Sequence, residues 1–333
     1  MTFSSAQLKA VKTIIVHGPG CPDGVASAIL LHDVLPEAEI KFVQYGTDEH
    51  KNLPATSGML FADFSPPAER VQEFVEVRAI VLDHHKTAKS VVAAFGDLGV
   101  FGDEVSEPGV CGAVLAYRHI WLPLQAERAK TRIDGYGQWM TSIQVAEEES
   151  AAKDFATLAG IRDTWQNKSP RWHEALIQAE MVRFYPVEHW LRIVRPFDPS
   201  NKALWTERRQ ITTLLIEKHE KSVQKVIEKA HRFTSKKGTR VVVFEGTHLS
   251  SDAAEALGKE ADIVIGFAFL VENGEQKMIV SSRSHSGYDV SAFSKHYGGG
   301  GHTAAAGFNA KLSAITVQPY KFVELLVEDY EQK

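Results

Sequence analysis

The sequence predicts an α/β fold: a parallel-sheet N-terminal domain joined by a long helix to a smaller α/β C-terminal domain. Three observations predict it. Four short apolar runs within residues 12–85 alternate with helix-period segments, the pattern of a parallel sheet. A charged helical stretch then runs from Leu204 to Arg232. Strand-like runs resume after it. At 333 residues the chain exceeds the size at which one core usually keeps growing, so two domains are expected.

Taken in order, "KTIIVHG" (12–18) reads as a buried strand ending in a turn. "DGVASAILLHDVL" (23–35) follows with helical spacing, since Val25, Ala28, Ile29 and Leu31 share one side. "AEIKFVQYG" (38–46), "GMLFADFS" (58–65) and "RAIVLDHH" (78–85) read as further strands. "PPAERVQEFVE" (66–76) reads as a helix with prolines in its first turn. Residues 104–195 read mostly as helix, and 204–232 as a solvated connector. "SKKGTR" (235–240) breaks that pattern. "TRVVVFEG", "ADIVIGFAFL" and "QKMIVSSRS" then read as strands, "DVSAFSKHYG" as a helix, and "GGGGHTAAAGF" (298–308) as a loop. The expected boundaries are 1–195 for the first domain, 196–236 for a helical linker and 237–333 for the second domain.

Apolar residues make up 44% and charged residues 24%, an ordinary globular balance. A formal net charge of -5 argues against coating long nucleic acid through a basic surface. It leaves room for short phosphorylated substrates, which need only a local cationic pocket. Two cysteines, Cys21 and Cys111, make no disulfide framework, so a reducing cytoplasm is the expected location. The N-terminal apolar run is too short for a signal peptide, and no stretch approaches a membrane span; no membrane partner is expected. The sequence does not fix the oligomeric state, and a homodimer stays open.

In parallel sheets functional groups gather at the carboxyl ends of the strands. His17, Asp63 and Asp83 each fall at such an end, although they lie far apart in sequence. Asp83, His84 and His85 stand together, and three ionisable groups beside a core cost much less if a metal takes them as ligands. A polar loop with ordinary histidines is the plain alternative. His17, Cys21 and Asp23 surround one strand-to-helix turn, where Asp23 could also be only an N-cap. Carboxylates and imidazoles with a thiol suit manganese, iron or zinc better than calcium or magnesium. In the second domain, four glycines (298–301) let the backbone aim N–H groups at anionic oxygens. His302 follows them, and Arg283 ends a strand where it could hold a phosphate or carboxylate bidentately. A flexible turn is the other reading of the glycines. Cys111 reads as a small buried helix residue. Trp139, Trp165, Trp172 and Trp190 suit core positions better than base stacking, and Lys86 is a modest candidate for a phosphate contact.

These residues resemble the DHH phosphoesterase family. The first family motif, His-x-x-x-Asp-x-Asp-Gly, reads here His17-Gly-Pro-Gly-Cys21-Pro-Asp23-Gly24. The second is the strand-end aspartate of "FADFS", Asp63; the third is Asp83-His84-His85; the fourth is Asp163 in "LAGIRDTW". "GGGGHTAAAGF" looks like the signature of the DHH-associated domain. The motifs run in family order over most of the chain. The resemblance implies a catalytic metal-binding domain followed by a substrate-binding one, with the active site in the cleft between them.

It also implies two manganese ions. One would be held by His17, Asp63 and position 21, the other by Asp23, Asp63, His84 and Asp163, with Asp63 bridging. His85 would face the substrate phosphate and Asp83 would orient a histidine. Arg283, Gly299, Gly300, Gly301 and His302 would bind the substrate. A metal-activated water would attack phosphorus in line. Cys21 departs from the family pattern, which has aspartate there. Either its thiolate biases the first site toward zinc or iron, or the thiol stays protonated and that site is weak or empty. The implied activity is a metal-dependent phosphodiesterase acting on short oligoribonucleotides, cyclic nucleotides or cyclic dinucleotides, close to the oligoribonuclease and cyclic-nucleotide phosphodiesterase branch. A phosphoanhydride hydrolase resembling an exopolyphosphatase and a degenerate nucleotide-binding protein are the alternatives. A processive exonuclease fits the acidic balance poorly.

Overall fold

The computed structural model describes residues 3–18, 20–135, 142–193, 197, 201–272, 275–311 and 319–332. The first strands and helices are α1 (Ser5–Lys9), β1 (Thr13–His17), α2 (Pro22–Val34), β2 (Glu39–Val43), α3 (Asp48–Lys51) and β3 (Met59–Ala62). Next come α4 (Val71–Glu76), β4 (Ile80–Asp83), α5 (Lys89–Ala93), β5 (Gly99–Phe101) and α6 (Gly112–Ala116). Four helices follow: α7 (Leu122–Gly135), α8 (Ser142–Asp163), α9 (Trp172–Phe184) and α10 (Lys202–Lys229). The remainder is β6 (His231–Thr234), β7 (Arg240–Glu245), α11 (Ser250–Leu257), β8 (Ile263–Glu272), β9 (Glu275–Arg283), α12 (Val290–His296), β10 (Gly300–His302), β11 (Ala305–Lys311) and α13 (Pro319–Gln332).

The contacts divide the chain into two units, Met1–Ile216 and Glu217–Lys333, so the division falls inside α10. In the first unit five parallel strands lie in the order β2-β1-β3-β4-β5. Every residue of β3 and β4 is buried, as a parallel sheet covered on both faces requires. Helix α2 packs on β1 and also against α6, α8 and α9. Its residues from Asp23 to Leu31 are all buried, and an apolar surface all round the helix fits that central position. Pro22 opens α2 at a position where a missing N–H costs nothing.

In the second unit a mixed sheet runs β10-β11-β9-β8-β7-β6, with only the β7–β8 pair parallel. Period-two alternation splits its core. Val241 and Val243 face a cluster with Phe293, Val323 and Val327, while Val242 and Phe244 face Leu249, Ala253 and Leu257. The segment 298–308, expected as a loop, is instead largely a hairpin in which β10 pairs with β11. The helix expected from Pro66 begins later: the prolines precede a short 3-10 turn (Ala68–Arg70), and α4 starts only at Val71. Strands β5 and β6 were also not anticipated. Cys111 stands one residue before α6 and is fully buried. Trp190 is in the core and Trp165 and Trp172 flank the Arg162 guanidinium; Trp139 lies outside the described residues.

Helix α8 approaches the loop before α6 so closely that a Cβ on Gly160 would lie 2.0 Å from the Gly109 carbonyl oxygen. Gly160→Ala is predicted to cost about 1–3 kcal/mol by forcing the two backbones apart. Chemical denaturation checks it; an unchanged midpoint would contradict the close approach.

Candidate metal centre

The strand order changes direction between β1 and β3, the point where open α/β sheets leave a crevice outside the carboxyl ends of their strands. His17 ends β1, and Asp63 follows β3 directly. Asp63 has φ 55°, a left-handed conformation uncommon for a non-glycine residue and often held at functional sites. Its carboxylate faces two ways. Oδ2 accepts from the Cys21 thiol at 3.4 Å and lies 3.7 Å from His17 Nδ1. Oδ1 lies 3.2 Å from His84 Nε2 and 3.9 Å from His85 Nδ1.

Asp23 does not cap its own helix; Cys21 occupies that position without a side-chain cap bond. Asp23 reaches across to α6 instead, where Oδ2 accepts from the Gly112 N–H at 2.6 Å and Oδ1 from the Ala113 N–H at 2.9 Å. A buried carboxylate at a helix N-terminus gains both the free N–H donors and the local positive potential. The approach needs glycine at position 112, because a Cβ there would lie 2.3 Å from Asp63 Cβ and 2.9 Å from Asp23 Oδ2. Gly112 therefore sets the spacing between the Asp23 and Asp63 carboxylates.

His84 stands among acids. Its Nε2 is 3.2 Å from Asp63, 3.4 Å from Asp163 Oδ2 and 3.7 Å from Asp23 Oδ2. Its Nδ1 meets Glu104 Oε1 at 3.0 Å. A carboxylate that accepts a hydrogen bond from Nδ1–H keeps the proton on that nitrogen and leaves the Nε2 lone pair for a metal. Asp83 plays the same part beside His85. Its Oδ1 accepts from His85 Nδ1 at 2.7 Å and from the main-chain N–H groups of His84 and His85. Its Oδ2 accepts from Ser65 Oγ at 2.5 Å and from the Tyr45 hydroxyl at 3.0 Å. Burial opposes the charge on Asp83, but the His85 bond and charge, with Ser65, hold it below the usual carboxylate range. Glu104, Gly112, Tyr45 and Ser65 were not singled out from sequence. Their roles depend on contacts between residues 18 to 89 positions apart, which no local motif signals.

The electrostatics fit a cation. Among the described residues, the ion pairs of Asp23, Asp63 and Asp163 are all with histidines. Burial, then repulsion from Asp23 and Asp163, holds the Asp63 carboxyl well above its usual range. Asp163 keeps 27% of its side chain open to solvent, yet the surrounding protein and the Asp23 charge push it up to about 7. Burial and the neighbouring His85 lower the pKa of His17, which favours a neutral ring, and its Nδ1 is buried with no hydrogen-bond partner among the described residues. Donor atoms lie within 4.8 Å of one another in each of three sets: His17, Cys21 and Asp63; Asp63, His84 and His85; Asp23, His84 and Asp163. Imidazoles, mutually repelling carboxylates and a thiol make a donor set that a divalent ion satisfies.

The residues singled out in the second unit are arranged differently. Arg283 is half-buried and donates to Ser251 Oγ at 3.0 Å, Ser281 Oγ at 3.1 Å and the Ser282 carbonyl at 2.9 Å. No carboxylate among the described residues pairs with it, and burial lowers its pKa. A guanidinium held this way retains its affinity for an anion. Gly299 and Gly301 answer a packing need, since a Cβ on either would lie under 2.6 Å from a β11 carbonyl oxygen, at 2.1 Å and 2.5 Å respectively. Gly300 has open space around its Cβ position, and His302 is exposed.

Two outcomes are predicted. Glu104→Gln weakens divalent-metal affinity by roughly 10–100-fold, because His84 loses the carboxylate that orients it; calorimetric titration checks this, and wild-type affinity would contradict it. A carboxyl raised to about 7 holds its proton near pH 6 and has lost it near pH 8. Metal binding is therefore predicted to weaken and to release more protons near pH 6, measured by titration in buffers of different ionisation enthalpy. Equal proton release at both values would contradict the raised carboxyl.

Residues 239–326 match the DHHA1 domain. Among curated proteins, none matches the sequence. The DHH domain of a member of the S1p family of ribosomal proteins shares the fold, with TM-score 0.53, 14% identity, and 98% of this chain and 87% of that chain covered. A pGpG-specific phosphodiesterase from Vibrio cholerae aligns at TM-score 0.41 and 15% identity over 96% of this chain and 99% of its own. An exopolyphosphatase-related protein from Bacteroides fragilis aligns at TM-score 0.45 and 10% identity over 99% and 96%. The second unit therefore carries a DHHA1 domain, and the first holds the Asp83-His84-His85 centre expected from the resemblance to the DHH phosphoesterase family.

Proposed function

We propose that the protein is a metal-dependent phosphodiesterase that hydrolyses short nucleotide substrates such as short oligoribonucleotides, cyclic nucleotides or cyclic dinucleotides. The observation that carries this reading is Asp63, whose two carboxylate oxygens face two separate ligand sets. His17, Cys21 and Asp63 would hold one ion; Asp23, Asp63, His84 and Asp163 would hold the other, with manganese the proposed metal. Bound metal would lower the pKa of water and offset charge on the phosphoryl oxygens.

The chain's own residues do the rest. Asp83 accepts a hydrogen bond from His85 Nδ1–H and fixes the ring, which leaves Nε2 to face the substrate phosphate. Ser65 and Tyr45 hold Asp83 in turn, so the ring's position is set before substrate arrives. Asp23 and Gly112 keep the α6 N-terminus against the centre, excluding water from that side. In the second unit, Arg283, Gly300 and His302 are the proposed anion-binding residues. The net charge of -5 favours short substrates over long nucleic acid.

The test is hydrolysis of a dinucleotide RNA, cyclic AMP, a cyclic dinucleotide, adenosine 3',5'-bisphosphate and short polyphosphate, each with manganese, cobalt, zinc and no metal. Mononucleotide release with manganese is expected. Asp63→Ala, His84→Ala and Asp163→Ala are each predicted to leave under roughly one-hundredth of wild-type turnover. Arg283→Ala is predicted to raise KM more than it lowers kcat, the mark of lost substrate binding. Full turnover by Asp63→Ala would refute the shared-carboxylate centre, and phosphate release from polyphosphate alone would replace the phosphodiesterase reading.

A further inference from the structure

The two ligand sets around Asp63 differ in chemical softness. On one side stand His17 Nδ1, the Cys21 thiol and Asp63 Oδ2; on the other are Asp23, Asp163 and His84 Nε2. The first set has one sulfur, one nitrogen and one oxygen donor, whereas the second has two carboxylates and one imidazole. Thiolate favours zinc, cobalt or ferrous iron over manganese, and a carboxylate-rich set suits manganese or magnesium. Cys21 is placed to act as a ligand. It occupies the N-cap position of α2, yet its side chain makes no cap bond and its thiol is turned to Asp63 at 3.4 Å. His17 Nδ1, the third donor, is buried and has no hydrogen-bond partner among the described residues. Phe64 stacks on the His17 ring with centroids 6.0 Å apart, and Tyr45 meets it edge-on at 5.5 Å, so the ring is held by its neighbours.

We propose, in an inference that rests on the metal-dependent reading above, that His17, Cys21 and Asp63 form a thiolate site selective for a soft or borderline divalent ion, and that the protein carries two unlike metals. Binding breaks the Cys21 S–H bond and forms a sulfur–metal bond; the proton passes to the buffer. The neighbouring site keeps its preference for a harder ion. Cys111, the other cysteine, is fully buried beside Asp23 and belongs to none of the three donor sets.

The experiment titrates metal-free, full-length protein with cobalt and follows near-ultraviolet absorption from thiolate-to-cobalt charge transfer, with visible ligand-field bands as the record of total cobalt bound. Wild type is expected to develop the charge-transfer band. Cys21→Ser and Cys21→Asp are expected to lose it while keeping ligand-field absorption from the second site. Both substituents are good N-caps, so α2 retains its start in either variant. Zinc added to the cobalt form should abolish the wild-type band, and manganese should not. Cobalt binding by wild type without the band would overturn the proposal, as would a band that survives in Cys21→Ser or one that manganese removes. The band is read without any substrate. A protein that shows it and hydrolyses nothing in the panel refutes the phosphodiesterase reading alone, and one that hydrolyses without ever showing it refutes the thiolate site alone.

Discussion

Crowding of like charges at one end of the sheet is the constraint on which the rest of the structure depends. Asp23, Asp63 and Asp163 converge on His84, and no lysine or arginine among the described residues pairs with them. Burial and the Asp23 charge raise the Asp163 carboxyl to about 7, against its ionised form. A fold does not hold such a set for stability. The raised Asp63 and Asp163 carboxyls make it tolerable without metal, and a divalent ion would convert the same repulsion into ligation.

Much of the first unit serves that arrangement. The strand order puts His17 and Asp63 on either side of the switch point, and Asp63 adopts a left-handed backbone to turn its carboxylate into the crevice. Gly112 and Gly160 remove side chains where backbones must meet the site or each other. Outside the donor atoms, Glu104 and Asp83 each hold one histidine through Nδ1. The two histidines adjacent in sequence thus have separate partners, which lets one face the acids and the other face outward.

The alternation of apolar runs and helical spacing made the first unit legible in the sequence, because a buried parallel strand leaves a short continuous apolar signature. The positions of His17, Asp63 and Asp83 at strand ends followed from it. Asp23 shows where that reading stops. Sequence spacing suggests a cap on its own helix, but its hydrogen bonds go to Gly112 and Ala113, 89 and 90 positions away. Glu104 and Tyr45 were invisible for the same reason. The glycines before His302 were legible as special without their cause: Gly299 and Gly301 let β11 close against them, while Gly298, at φ 78°, and Gly300 have open space around them. Short strands such as β5 and β10, three residues each, carry too little pattern to be read.

The central claim is that one carboxylate, Asp63, serves two metal sites of unlike composition. A crystal structure of metal-loaded protein, with anomalous scattering recorded at the manganese and zinc edges, measures this most directly. Two anomalous peaks are predicted, one against each Asp63 oxygen, with the zinc signal on the Cys21 side. A single peak, or two peaks with Asp63 bound to neither, would contradict the account.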